Sequence, residues 1–194
     1  MTTATTPLAP AATGSRAAHR AWRVFASVLA FATLTWGSVQ LVALLAHGED
    51  HVRHNFSAAG LRTIVAAADN GTIRVITEDR DDVLLTAYVS ESLGGTDSSV
   101  HRVGDRLVVN GECNFDVGPW CRTSYTLRVP RALDLDLHAG DGEVLVVTPR
   151  GTQYRVHTTT GEGNVSVSVP TADDARHSIV VTTGDGDITI RPRD

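Results

Sequence analysis

Asp185-Gly186-Asp187-Ile188-Thr189-Ile190 lies near the end of the sequence, and its pattern recurs three times upstream. Asn70-Gly71-Thr72-Ile73-Arg74-Val75, Asp141-Gly142-Glu143-Val144-Leu145-Val146 and Glu162-Gly163-Asn164-Val165-Ser166-Val167 all read [N/D/E]-G-x-[I/V]-x-[I/V]. Each unit is an acidic or amide residue and a Gly suited to a turn, followed by a strand with apolar residues on one face. Such a strand cannot bury that face alone, so the units are expected to stack on one another. Stacking in register points Val144, Val146, Val165, Val167, Ile188 and Ile190 into one shared core, since positions i and i+2 share a face. Tyr154 with Val156, and Ile179 with Val181, offer a second inward row.

The same alternation extends over residues 61–194. Strands are expected at 62–68, 72–77, 83–90, 99–103, 106–111, 122–129, 133–138, 143–147, 153–158, 164–169, 177–183 and 187–191. Gly94-Gly95, Gly104-Asp105, Gly118-Pro119 and Pro149-Arg150-Gly151 supply turns between them. The fold class is therefore all-β, a short-strand repeat domain of β-solenoid-like character.

The repeated turns, with Ser124-Tyr125-Thr126-Leu127-Arg128-Val129-Pro130 leading into Leu133-Asp134-Leu135-Asp136-Leu137, resemble the bacterial "putative adhesin" β-strand-repeat family. The resemblance covers roughly residues 61–194. It is a family of unknown function, common in actinobacterial envelope proteins, often behind a membrane anchor. The resemblance implies an all-β, solenoid-like domain without established catalytic residues, and this chain would be a short member.

Charge is placed unevenly along the 194 residues. Residues 1–23 carry Arg16, Arg20 and Arg23 and no acid, and residues 24–48 carry no charge. All 22 acids and the other 14 Arg follow, and there is no Lys. The net charge of −5 disfavours a phosphate-tracking nucleic-acid binder. Val24 to Ala46 is an apolar run that would rise about 34 Å as a helix, enough to cross a hydrocarbon core of roughly 30 Å. Trp22 suits the interface, Thr33, Thr35 and Ser38 are tolerable in the span, and Gln40 is less so. The run exceeds a usual signal-peptide core, and Leu44-Leu45-Ala46 is a poor cleavage site. The expectation is a cytoplasmic tail over 1–22, a single transmembrane helix over 23–46, a linker over 47–60 and an extracytoplasmic domain over 61–194. His47, His51 and His54 fall in that linker and read as solvated.

Chemistry is sparse. Cys113 and Cys121 flank a Gly-Pro turn, and outside the cytoplasm they are expected to form a disulfide; free buried thiols or a metal site are the alternatives. Phe115 and Trp120 would then stand on a constrained tip, a candidate contact site unless they fold back onto the sheet. Asp141, Glu143, Glu162, Asp185 and Asp187 cluster at the turns, where calcium binding competes with a plain turn-forming role, and the turn role is preferred. His138, His157 and His177 sit at different offsets from their repeat Gly residues and are not expected to stack. No nucleophile elbow, zinc-protease motif or phosphate loop occurs. No cofactor and no metal is assigned. Asn55, Asn70 and Asn164 match the glycosylation acceptor pattern, usually idle in a bacterial chain. The sequence thus reads as a non-enzymatic envelope protein in the membrane, presenting a surface to an envelope protein or glycan. The alternative is a regulatory subunit coupling an external domain to a membrane sensor or transporter.

Overall fold

The structure, a computed structural model, describes residues 48–91, 96–113 and 122–194, together with Ala26 and Leu29. The expected cytoplasmic tail and nearly all of the expected transmembrane helix lie outside the described residues. Among the described residues, no helix is long and apolar enough to cross a membrane.

Thirteen strands form among the described residues. They are β1 (Gly48–Ser57), β2 (Thr63–Asn70), β3 (Ile73–Thr77), β4 (Asp82–Glu91), β5 (Thr96–Val103), β6 (Arg106–Cys113) and β7 (Arg122–Val129). Then follow β8 (Asp134–Asp141), β9 (Val144–Thr148), β10 (Tyr154–Glu162), β11 (Val165–Val167), β12 (His177–Asp185) and β13 (Ile188–Pro192). The seven-stranded sheet runs β1-β4-β7-β3-β9-β13-β11, and the six-stranded sheet runs β10-β12-β8-β2-β6-β5.

Each acidic-Gly turn carries the chain from one sheet to the other: β2 to β3, β8 to β9, β10 to β11 and β12 to β13. These four pairs stack through parallel ladders. Ile73 lies beside Val144, Val144 beside Ile188, and Ile188 beside Val165. In the other sheet Ile64, Leu135, Ile179 and Val156 form the matching row. Period-two alternation turns both rows inward, and Ile64, Ile73, Val144, Ile179 and Ile188 are fully buried.

Two expectations are corrected. The pairs do not stack in chain order, as a simple solenoid winding would require: β12–β13 lies between β8–β9 and β10–β11. The pair β10–β11 therefore ends the stack. Val144, Val146, Ile188 and Ile190 enter the core as expected, but Val165 and Val167 are 45% and 38% exposed, because among the described residues no further pair covers them. The second correction concerns residues 47–60. Gly48–Ser57, expected as linker, is a strand paired antiparallel with β4 along its whole length. His51 and His54 therefore sit in a strand, where a spacing of three puts them on opposite faces.

The other end of the stack is closed. β4 pairs antiparallel with β7, β1 adds to β4, and β5 folds antiparallel onto β6 around Gly104 and Asp105. Val52, Phe56 and Val100 pack against the core there. Arg102 ties the hairpin down, donating to the carbonyls of Ser57 at 2.8 Å and Ala59 at 2.6 Å.

The two burial environments predict different mutational costs. Ile188→Asp places an unpaired charge in a filled core and should unfold or severely weaken the domain. Val165→Asp, on the open end, should cost about 1 kcal/mol or less. Thermal melts of the two variants check this.

Tyr125 and Tyr154 are almost wholly buried. Burial pushes both hydroxyls from 10.0 up to about 12, with Asp69 adding to the rise at Tyr125 and Asp134 at Tyr154. The folded state thus holds both protons more tightly than the unfolded chain. Their contribution to stability is complete below pH 10 and is lost as pH rises from 10 through 12. The loss should approach about 1.4 kcal/mol per pH unit for each tyrosine. Denaturant melts between pH 8 and 12 should show it, with a shallower decline for Tyr125→Phe.

Candidate contact surface

The repeat turns gather along one edge of the stack. Asn70, Asp141, Glu162 and Asp185 end their strands, and Gly71, Gly142, Gly163 and Gly186 follow them. The backbone is stitched from turn to turn: the N–H of Gly71 donates to Asp141 O at 3.0 Å, that of Gly142 to Asp185 O at 2.8 Å, and that of Gly186 to Glu162 O at 2.7 Å. The turns approach so closely that a Cβ on Gly142 would collide with the carbonyl oxygen of Gly71, and one on Gly163 with that of Gly186. A second close-packed row, which the sequence reading missed, runs Gly161, Gly184, Gly140 and Asp69. Its signal was available in Gly140-Asp141-Gly142, Gly161-Glu162-Gly163 and Gly184-Asp185-Gly186, where Gly stands on both sides of the acid.

The acidic side chains of these turns point to solvent, and Asp187 Oδ1 accepts from the Asn164 backbone N–H at 2.8 Å. Among the described residues, no three His, Cys, Asp or Glu converge as metal ligands would. Cys113 ends β6, but its side chain and all of Phe115, Trp120 and Cys121 lie outside the described residues, so the disulfide and the aromatic tip fall there too.

The outer face of the seven-stranded sheet is the broadest organised surface. Alternation that buries Val75, Leu127 and Val146 turns their neighbours out. Register then aligns Leu84, Arg128, Ile76, Val147 and Arg191 across five strands. Val147 is only 6% exposed although it faces away from the core, so the flanking chains cover it on this outer side. Arg74 and Thr126 stand side by side in the next row. Arg128 reaches Glu78 at 3.1 Å, Arg74 reaches Glu143 at 4.0 Å and Arg191 reaches Asp194 at 3.3 Å. These ion pairs are exposed, each worth about 0–1 kcal/mol, so their arginines can exchange partners at small cost. Of these side chains arginine is the type enriched at protein-contact surfaces, while Leu84 and Ile76 are half-buried between the arginines.

The six-stranded sheet carries two His–Asp pairs, one on its outer face and one at the start of β12, where His177 lies beside the buried Tyr154 ring at 6.1 Å. His138 Nε2 lies 2.9 Å from Asp136 Oδ1, and His177 Nδ1 lies 3.6 Å from Asp134 Oδ1. His138 and Asp136 are about half exposed on an open sheet, not in a cleft. His157 sits two strands away from Asp136, across Val180.

No family profile and no curated protein matches the chain. Among solved structures it is similar to a putative cell adhesion protein from Clostridium sporogenes, at 10% identity over 75% of this chain and 100% of that one, with a TM-score of 0.37. It is also similar to a putative adhesin from Bacteroides fragilis, at 8% identity over 74% of this chain and 97% of that one, with a TM-score of 0.31. Both likenesses are distant, and the functional reading rests on this chain's own surfaces.

The turn edge makes a direct prediction. Gly142→Ala forces backbone against backbone in the middle of the stack and should destabilise the domain by about 1–3 kcal/mol or more. Gly151→Ala meets open space, with only its left-handed φ of 72° to strain, and should cost about 1–2 kcal/mol. Denaturant melts of both variants should rank Gly142→Ala as the more damaging.

Proposed function

We propose that this chain is a single-pass membrane protein with a cytoplasmic tail over 1–22, an anchor over 23–46 and an exported, non-enzymatic β domain. In this reading it is an adhesin-like envelope protein whose domain presents a surface to an envelope protein or glycan. The uncharged run Val24 to Ala46, preceded by Arg16, Arg20 and Arg23, supports the anchor and its orientation. The observation that carries the contact role is the Leu84-Arg128-Ile76-Val147-Arg191 row, an aliphatic and arginine surface spanning five strands on a rigid sheet. The reading also includes the Cys113–Cys121 bridge, with Phe115 and Trp120 displayed on its loop as a second contact point.

Two measurements test this reading. Protease added to intact protoplasts should remove an epitope placed after Asp194 and spare one placed before Met1. A mature chain beginning near His47, or a protected C-terminal epitope, overturns the anchoring. For the surface, Arg74→Glu with Arg128→Glu should leave the melting temperature nearly unchanged, since only exposed pairs are lost. The same variant should lose retention on isolated cell-envelope material. Undiminished retention with an intact fold overturns the role given to this face.

A further inference from the structure

The chain enters β2, β8 and β12 at the edge of the domain opposite the acidic-Gly turns, and these three strands are neighbours in the six-stranded sheet. They run parallel, so their entries lie side by side. At a strand spacing of about 4.7–4.9 Å, the entries of β12 and β2 stand roughly 10 Å apart. Arg62 comes immediately before β2, Arg131 shortly before β8 and Arg176 immediately before β12. All three border one open hollow of about 540 Å³, together with Leu61, Asp134 and His177.

The backbone holds these arginines in place and leaves their charges available. The Arg62 N–H donates to Asp105 O at 2.9 Å, and Arg62 O accepts from the Asp134 N–H at 2.9 Å, so its main chain is fixed from both sides. Arg131 Nη2 donates to Ala58 O at 2.6 Å and Leu61 O at 3.1 Å, which leaves its Nε and Nη1 without a protein partner among the described residues. Arg62 and Arg176 are exposed, and among the described residues neither guanidinium is paired. Asp134 is the one carboxylate bordering the hollow. It is already engaged on the β12 side, where its Oδ1 accepts from the Ser178 N–H at 2.9 Å and lies 3.6 Å from His177 Nδ1. Three guanidiniums against one carboxylate leave two positive charges unmatched.

We infer that this hollow binds a phosphate group, as the free ion or as a monoester. Such a group carries about −1.5 to −2 charge at pH 7, which matches the surplus. The planar forks of arginine fit its oxygens in pairs, and guanidinium–phosphate hydrogen bonds are among the strong ones. The volume falls within the range of small-molecule sites, about 300–1,000 Å³. A carboxylate or a phosphate diester brings a single charge and leaves one guanidinium unmatched. The site lies on the other sheet from the Leu84-Arg128-Ile76-Val147-Arg191 row, and neither depends on the other.

Binding to the full-length chain in a non-ionic detergent, at constant ionic strength and pH 7.5, tests it. Backbone amide shifts of Leu61, Leu133 and His177 should saturate on titration with inorganic phosphate or glycerol 1-phosphate. The tighter of the two identifies the free ion or the ester as the form taken. Acetate and dimethyl phosphate should bind about tenfold more weakly or not at all. Arg62→Gln and Arg176→Gln should each weaken phosphate binding about tenfold, with the melting temperature nearly unchanged because neither side chain holds a partner. Arg53→Gln on β1 and Arg122→Gln at the start of β7 remove the same charge elsewhere and should leave binding unchanged. The inference is overturned if neither phosphate probe shifts these amides, or if dimethyl phosphate or acetate binds as tightly. It is equally overturned if folded Arg62→Gln and Arg176→Gln bind like the parent, or if Arg53→Gln and Arg122→Gln lose as much.

Discussion

The structure depends on backbone approaching backbone at the acidic-Gly turns. Gly142 sits under the carbonyl of Gly71, Gly186 under that of Gly142, and Gly163 under that of Gly186, each without room for a side-chain carbon. Strands in a sheet stand about 4.7–4.9 Å apart, and turns can follow that spacing without a break only where nothing projects between them. The glycines allow the turns to hydrogen-bond to each other as continuously as the strands do. Fixing the turns fixes the register, and the register aligns Ile73, Val144, Ile188 and Val165 in one row.

From that constraint the rest follows by addition. Identical spacing lets any repeat pair stack on any other, so the domain can grow from the pair β2–β3 in both directions. On one side the long segment from Glu78 to Val129 supplies β4 to β7 and, with β1, closes the core with antiparallel strands and charged edges. On the other side β8–β9, β12–β13 and β10–β11 succeed one another and stop. The exposed valines at 165 and 167 follow from β11 being the last described strand of its sheet. This growth leaves two surfaces: an outer face where arginine and aliphatic side chains interleave, and one open end.

Much of this was legible in the sequence. Period-two alternation located nearly every strand, and the repeat register correctly placed Val144, Val146, Ile188 and Ile190 inside. The order of the pairs was not legible, for the reason that makes the stack work. The units after Gly142, Gly163 and Gly186 present the same two inward positions, so adjacency in the chain and adjacency in space give equally good registers. Val165 and Val167 were misplaced in consequence. β1 was missed because Gly48–Ser57 mixes Glu, Asp, Arg and two His with only two apolar positions, Val52 and Phe56, a pattern that reads as linker until its partner β4 is known. The outer arginine row was invisible as well, since Leu84, Arg128, Ile76 and Val147 come from four separate strands and meet only through register.

The central claim is that the turn ladder sets a stack whose order is not the order of the chain. Nuclear Overhauser contacts among backbone protons of the full-length protein test it most directly. The account predicts that Ile188 shows contacts to both the Val144 and the Val165 strands, with none between Val144 and Val165 themselves. Direct contacts between the Val144 and Val165 strands, with Ile188 beside Val165 alone, would mean that the repeats wind in sequence and would contradict it.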